Sequence, residues 1–135
     1  MLRLTKSILK FKIGQTASIS KQFSKSEVLT FAQLSGDTNS IHTTENRNNN
    51  KVIVHGCLLL GMFSAIGGTM MPGDGAFLVN ISELKIVEPV YSDQKVVATL
   101  EITKNLKNKF LETKGEIKCE NSGNILVQGK LMLKV

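Results

Sequence analysis

The sequence predicts an α+β fold in which an antiparallel sheet wraps around one buried helix. Three observations carry that prediction. Residues 55–69 are apolar on nearly every side, which marks a helix covered all round. From Phe77 onward the apolar period drops to two, the period of a strand. The alternating stretches that follow are joined by short polar turns, as consecutive antiparallel strands are.

Taken in order, Phe11 to Phe23 alternates apolar and polar residues around a bend at Ile13-Gly14-Gln15, and reads as a strand or two. Ser24-Lys-Ser-Glu27 fits a capping box, in which side chains satisfy the orphan amides of a first helical turn. Val28, Phe31, Ala32 and Leu34 follow at helical spacing, so a short amphipathic helix runs to about Ser35. Gly36 ends it, because glycine enters the left-handed region without steric cost. A polar loop then presents Asp37, Asn39 and His42 together. The stretch Thr43 to Lys51 is asparagine-rich, cannot hold a core and reads as a loop.

The central helix runs from His55 to about Thr69. Its small residues Gly56, Gly61, Ala65, Gly67 and Gly68 allow a sheet to approach closely. Met71-Pro-Gly-Asp-Gly75 is a turn. Phe77, Val79 and Ile81 alternate in a strand ending near Val90. Val96, Ala98, Leu100 and Ile102 form the next inward row. Leu111, Thr113, Gly115, Ile117 and Cys119 form a third, and Ile125, Val127, Gly129, Leu131, Leu133 and Val135 a last one. No internal repeat, linker or second domain is visible across the 135 residues, so one domain is expected.

Composition narrows the function classes. With 41% hydrophobic and 21% charged residues the chain resembles soluble globular proteins. No apolar run reaches the roughly 18 residues a membrane helix needs, so no membrane partner is expected. Nucleic-acid binding wants a basic patch interleaved with stacking aromatics. This chain has six Phe, one Tyr and no Trp, and its lysines are scattered, so no nucleic-acid partner is expected either. The net charge of +6 also suits a phosphate-bearing substrate or an acidic carrier protein. Cys57 and Cys119 sit in no metal-binding spacing and are expected to be buried thiols of a reducing compartment. Met1 to Lys10 is basic but short and lacks a small-residue cleavage site. The expected location is the cytoplasm, with the mitochondrial matrix as the alternative.

A carboxylate and an imidazole on one turn can share a water, one taking a proton while the other gives one. Asp37 and His42 are therefore the candidate catalytic pair. Each has a plainer reading: Asp37 as a turn cap, His42 as a surface histidine. The chain has two histidines, both in conspicuous segments, and His55, beside the buried helix, reads as a packing or hydrogen-bonding residue. Met62, Met70 and Met71 read as core filler, and Asp74 as a solvated turn residue.

Phe31-Ala-x-Leu-Ser-Gly-Asp37-x-Asn39-x-x-His42, followed by Ile53-Val-His-Gly56 and Met71-Pro-Gly73, resembles the MaoC-like hydratases of the hot-dog superfamily. The subgroup it resembles is the (R)-specific enoyl-CoA hydratases and mitochondrial 3-hydroxyacyl-thioester dehydratases, over nearly the whole chain from Ile13. The resemblance implies a sheet wrapped round the helix from His55, a homodimer joined edge to edge, and an acyl-CoA or acyl-carrier-protein thioester as substrate. It implies Asp37 and His42 as the catalytic pair, Asn39 as the residue holding their loop, and Gly56 N–H as the donor polarising the thioester carbonyl. Ser64 is the position matching a serine of the central helix that contributes to the site. No metal or other cofactor is implied. The sequence departs from the pattern at Ser40, where the family has proline, and in a short asparagine-rich segment before His55. Two other readings remain open: a thioesterase on the same fold, since fold does not dictate function, and a non-catalytic acyl-CoA-binding subunit.

Overall fold

The computed structural model describes residues 11–44 and 50–135. The expectations for Met1–Lys10 and for most of the asparagine-rich loop lie outside these residues. Eight elements follow in the order β1 (Thr16–Gln22), α1 (Lys25–Ser35), α2 (Ser40–Thr43), α3 (Gly56–Thr69), β2 (Phe77–Ile86), β3 (Lys95–Leu106), β4 (Phe110–Cys119) and β5 (Ile125–Lys134). The strands form one five-stranded antiparallel sheet in the order β1-β3-β4-β5-β2. β1 and β2 are therefore its two edges, and α3 packs on one face. None of the described helices is long and apolar enough to cross a membrane.

The core is built from the α3 side chains Leu59, Met62, Phe63 and Ile66 against the inward rows of β3, β4 and β5. Those rows are the expected ones: Val96, Ala98, Leu100 and Ile102, then Leu111, Thr113 and Ile117, then Val127, Leu131 and Leu133 are all buried. Buried Thr113 satisfies its hydroxyl by donating to the Leu131 carbonyl at 3.0 Å. Gly115 and Gly129 face each other in register on β4 and β5. A Cβ at Gly115 would sit 3.0 Å from the Phe63 ring and 2.5 Å from Leu131 Cδ1. The absent side chain is what lets α3 lie so close to the sheet.

β2 departs from the expected pattern. Register shifts between Leu78 and Asn80 and between Ser82 and Lys85 break its alternation. A bulge places two residues opposite one, and so moves the inward set by one position. Leu78 and Ile81 pack against the core, while Phe77 and Val79 are exposed. The strand also ends at Ile86 rather than near Val90. Ile125 and Val135, at the ends of the last row, are exposed, as is Leu34 on α1. Cys57 is exposed and Cys119 half-buried, so neither is the buried thiol that was expected.

α1 starts and stops where the sequence places its ends. Ser24 Oγ accepts from the Glu27 amide at 3.1 Å, and Gly36 closes the helix at φ 80°, its N–H donating to the Ala32 carbonyl. The capping box is formed on one side only, because the Glu27 carboxylate turns to Lys21 at 3.3 Å instead.

Candidate active site

The polar loop after Gly36 is held by short-range bonds from its amides to the side-chain oxygens of Ser35, Asp37 and Asn39. The Asp37 amide donates to Ser35 Oγ at 3.1 Å, and Asp37 Oδ1 accepts the Asn39 amide at 3.3 Å. Asn39 then caps α2, its side-chain oxygen accepting from the Ile41 amide at 3.2 Å. What reads as a loop thus contains a one-turn helix, and Ser40 is its first residue. Proline is tolerated there because the N–H it lacks has no partner in any case. The Ser40 departure therefore leaves the turn intact.

α2 delivers His42 to the chain entering α3. The Ile53 amide donates to the Ile41 carbonyl at 2.9 Å, and His42 Nδ1–H donates to the Ile53 carbonyl at 2.7 Å. A carbonyl can only accept, so Nδ1 carries the proton in that bond. His42 Nε2 is left facing Asp37 Oδ2 at 3.6 Å. The imidazole is 9% exposed and the carboxylate 53%, so the pair sits at a surface with one partner buried. Segment 52–54 is in turn pinned to segment 90–92: Val54 N–H donates to the Val90 carbonyl, and Ser92 and Val52 exchange bonds.

Gly56 opens α3. The first amides of a helix have no intrahelical acceptor, and the His55 side chain does not cap them. The positive end of the helix dipole points the same way. His42 and Gly56 line a cleft of about 330 Å³, whose wall is completed by Leu59 and by Ile86 to Val90. The lining is mostly apolar, which suits an acyl chain beside a few polar groups.

His55 lies beneath this arrangement. It is 2% exposed, and its ring stacks on His42 with centroids 3.7 Å apart and planes at 21°. Its Nε2–H donates to the Asp37 carbonyl at 3.0 Å, whereas its Nδ1 is buried without a hydrogen-bond partner. Such an atom costs about 1–3 kcal/mol. Asp37, His42 and His55 each offer one ligand atom within 4.8 Å of the others. Stacked rings, however, aim their lone pairs side by side rather than at one point. A zinc ion needs its ligands convergent at about 2.0–2.1 Å, so the geometry favours hydrogen bonding over chelation.

The structure brings Asp37 to His42 and sets His42 with Gly56 in one cleft lining, and places Asn39 as the cap that orients the His42 turn. It does not bring Ser64 to them: that side chain is exposed on α3, outside the cleft lining, and among the described residues no hydrogen bond links it to Asp37 or His42. The roles of the Ile53 carbonyl and the Ile86–Val90 wall are not legible in the sequence. An apolar pair ahead of His-Gly was the only signal for Ile53. A wider groove of about 660 Å³ between β2, β5 and β4 is lined by charged side chains, with Lys130 bridging Glu83 and Glu112, and contains none of the predicted residues.

A loop-borne Asp/His pair set beside the free amides of a buried helix, on a sheet wrapped round that helix, defines a MaoC-like hot-dog domain. The chain belongs to that family: the MaoC like domain matches residues 10–124. It is 38% identical over 128 residues to an (R)-specific enoyl-CoA hydratase of Rhodospirillum rubrum, covering 92% of this chain and 88% of the relative. It is 27% identical to a 3-hydroxybutyryl-CoA dehydratase of Methylorubrum extorquens, with 92% and 80% covered. The solved (R)-hydratase from Aeromonas caviae involved in PHA biosynthesis superposes with a TM-score of 0.85 at 31% identity, over 94% of this chain and 98% of that one.

Proposed function

We propose that this chain is a hydro-lyase, an (R)-specific enoyl-thioester hydratase that also runs in reverse as a 3-hydroxyacyl-thioester dehydratase. The observation that carries the reading is the Asp37–His42 pair at 3.6 Å beside the uncapped start of α3. Adding water across a double bond conjugated to a thioester requires a base for the water, an acid for Cα and a donor for the carbonyl oxygen, where charge accumulates. Asp37 Oδ2 takes a proton from water as the C–O bond forms at Cβ. His42 acts as the imidazolium: Nδ1–H stays on the Ile53 carbonyl, and the second proton, on Nε2, is delivered to Cα. The two groups face each other on one short segment and act on the same face of the double bond, so addition is syn, and the proton gained by Asp37 returns to His42 between turnovers. The Gly56 amide receives the developing oxyanion, in an apolar setting where such a donor counts for more than in water. Asn39 supports the pair by capping α2. Ser64 has a role in this scheme only if substrate or a second copy brings it to the cleft.

The reaction is redox-neutral, and we assign no resident cofactor. The substrate is an enoyl thioester of CoA or of an acyl carrier protein, and the net charge of +6 suits either anionic carrier. A homodimer joined along β2 is part of the same proposal. β2 is an edge strand that exposes Phe77, Val79 and Ile86, and apolar edges of this kind normally pair. Ile86 also lines the cleft, so that interface would lie beside the site.

The test follows absorbance of crotonyl-CoA at the enoyl-thioester band, for wild type, Asp37→Asn and His42→Ala. Hydration to the (R)-3-hydroxy product, lost in both variants, is the expected outcome. Release of free CoA would instead assign a thioesterase. Inertness toward crotonyl-CoA and toward longer or carrier-bound enoyl thioesters would assign a binding subunit.

A further inference from the structure

We propose that His55 is the positioning residue that locks the acid–base pair to the oxyanion donor; the inference rests on the hydratase reading above. Four segments meet at this ring. Phe31 of α1 packs edge-on against it at 4.8 Å and 65°, His42 of α2 stacks on its face at 3.7 Å, and the Asp37 carbonyl accepts its Nε2–H at 3.0 Å. The fourth is its own backbone, which caps α3: the His55 carbonyl accepts the Leu58 and Leu59 amides, and the next amide is that of Gly56. One buried side chain thus touches both members of the pair, while its main chain sets where the Gly56 N–H points.

The unpartnered Nδ1 shows what the imidazole is for. An apolar ring could fill this space without burying an acceptor that has no donor. The Nε2–H bond to Asp37 is the one thing an apolar ring could not supply. Among the described residues Asp37 is otherwise in contact with its near neighbours Ser35 and Asn39 and, through its exposed carboxylate, with His42, so no other hydrogen bond ties its main chain to the start of the buried helix. Without that anchor the carboxylate keeps its chemistry but not its place relative to Gly56.

The test compares His55→Phe, which keeps an aromatic face for His42 but loses the donor, with His55→Gln, whose amide N–H reaches toward the same carbonyl. Misplacing catalytic groups by about 1 Å costs about a hundredfold, so His55→Phe is expected to lose about ten- to a hundredfold in kcat. KM and the melting temperature should change little, and His55→Gln should recover most of the loss. Wild-type turnover in His55→Phe overturns the inference, as does an equal loss in both variants. Long-range 1H–15N spectra of the wild-type imidazoles, assigned with His42→Ala, supply a readout independent of activity. A proton on His55 Nε2 supports the inference and one on Nδ1 refutes it. If wild type hydrates no enoyl thioester, the hydratase reading fails, and the tautomer still decides whether His55 anchors Asp37.

Discussion

The two halves of α3 are built on opposite principles. Its second half is joined to the sheet: Phe63 lies over Gly115, and Gly67 leaves room for Leu133, whose Cδ2 would be 2.7 Å from an added Cβ. The Met70 amide closes the last turn on Ile66. Its first turn has no side-chain cap, borders the cleft, and adjoins a buried nitrogen with no partner. Free amides at a helix start cost stability unless something else holds the helix in place. The sheet contacts of the second half do that, which leaves the first turn free to receive a ligand's charge.

Substitutions can separate the two halves, and the largest effect belongs to the site. His42→Ala and Asp37→Asn should each lower hydration by about 10²–10⁴-fold, the range for general acid–base groups, with the melting temperature nearly unchanged for the exposed Asp37 and lowered for His42, which loses a buried stacked ring and its bond to Ile53. Thermal unfolding followed by circular dichroism, run beside the absorbance assay, checks both halves of that statement.

Gly56 allows a sharper cut. Proline suits the first position of a helix, so Gly56→Pro removes the amide proton while leaving α3 intact. Gly56→Ala is the control, since both variants place a Cβ about where Ile86 Cδ1 stands, 2.7 Å away. The proline variant should turn over about 10²–10³-fold more slowly than the alanine variant, as when one oxyanion donor is removed. Equal rates would remove Gly56 from the mechanism.

Gly115→Ala probes the other half. The new methyl meets Leu131 and the Phe63 ring, and overpacking should cost about 1–3 kcal/mol in urea unfolding. Turnover per folded molecule should persist. On the β2 edge, Val79→Lys places a charge on the strand proposed to pair, and sedimentation should show monomer where wild type shows dimer. The smallest effect is expected at Leu34, which is 80% exposed: Leu34→Ser should shift stability by less than about 0.5 kcal/mol.

Much of this could be read in the chain. Local chemistry places α1, because Ser24 and Gly36 act on amides and carbonyls within a few residues. The β3, β4 and β5 rows appear as written except at their ends, where Ile125 and Val135 are exposed and Cys119 is half-buried, since a stretch of unbroken period has only one apolar face. The β2 row is not legible in the chain because its bulges follow pairing with β5, not composition. α2 was missed because one turn has too few residues to show a period. Leu34 satisfies the helical spacing, yet among the described residues no element lies over its side of α1.

The site divides in the same way. The spacing Asp37-x-Asn39-x-x-His42 marks the groups that can move protons and the cap that turns one toward the other. It carries no trace of the Ile53 carbonyl that orients His42, or of the Ile86–Val90 wall. The sequence by itself determined the ends of α1 and α3, the interior of the inward rows of three strands and the chemical identity of the pair, because those depend on neighbours within one turn or one strand. Only the tertiary structure decided that Ser64 stands outside the cleft, that β2 is an edge, and that His55 holds Asp37 against the helix start. Each of these depends on contacts between segments distant in the chain, and no local pattern encodes them.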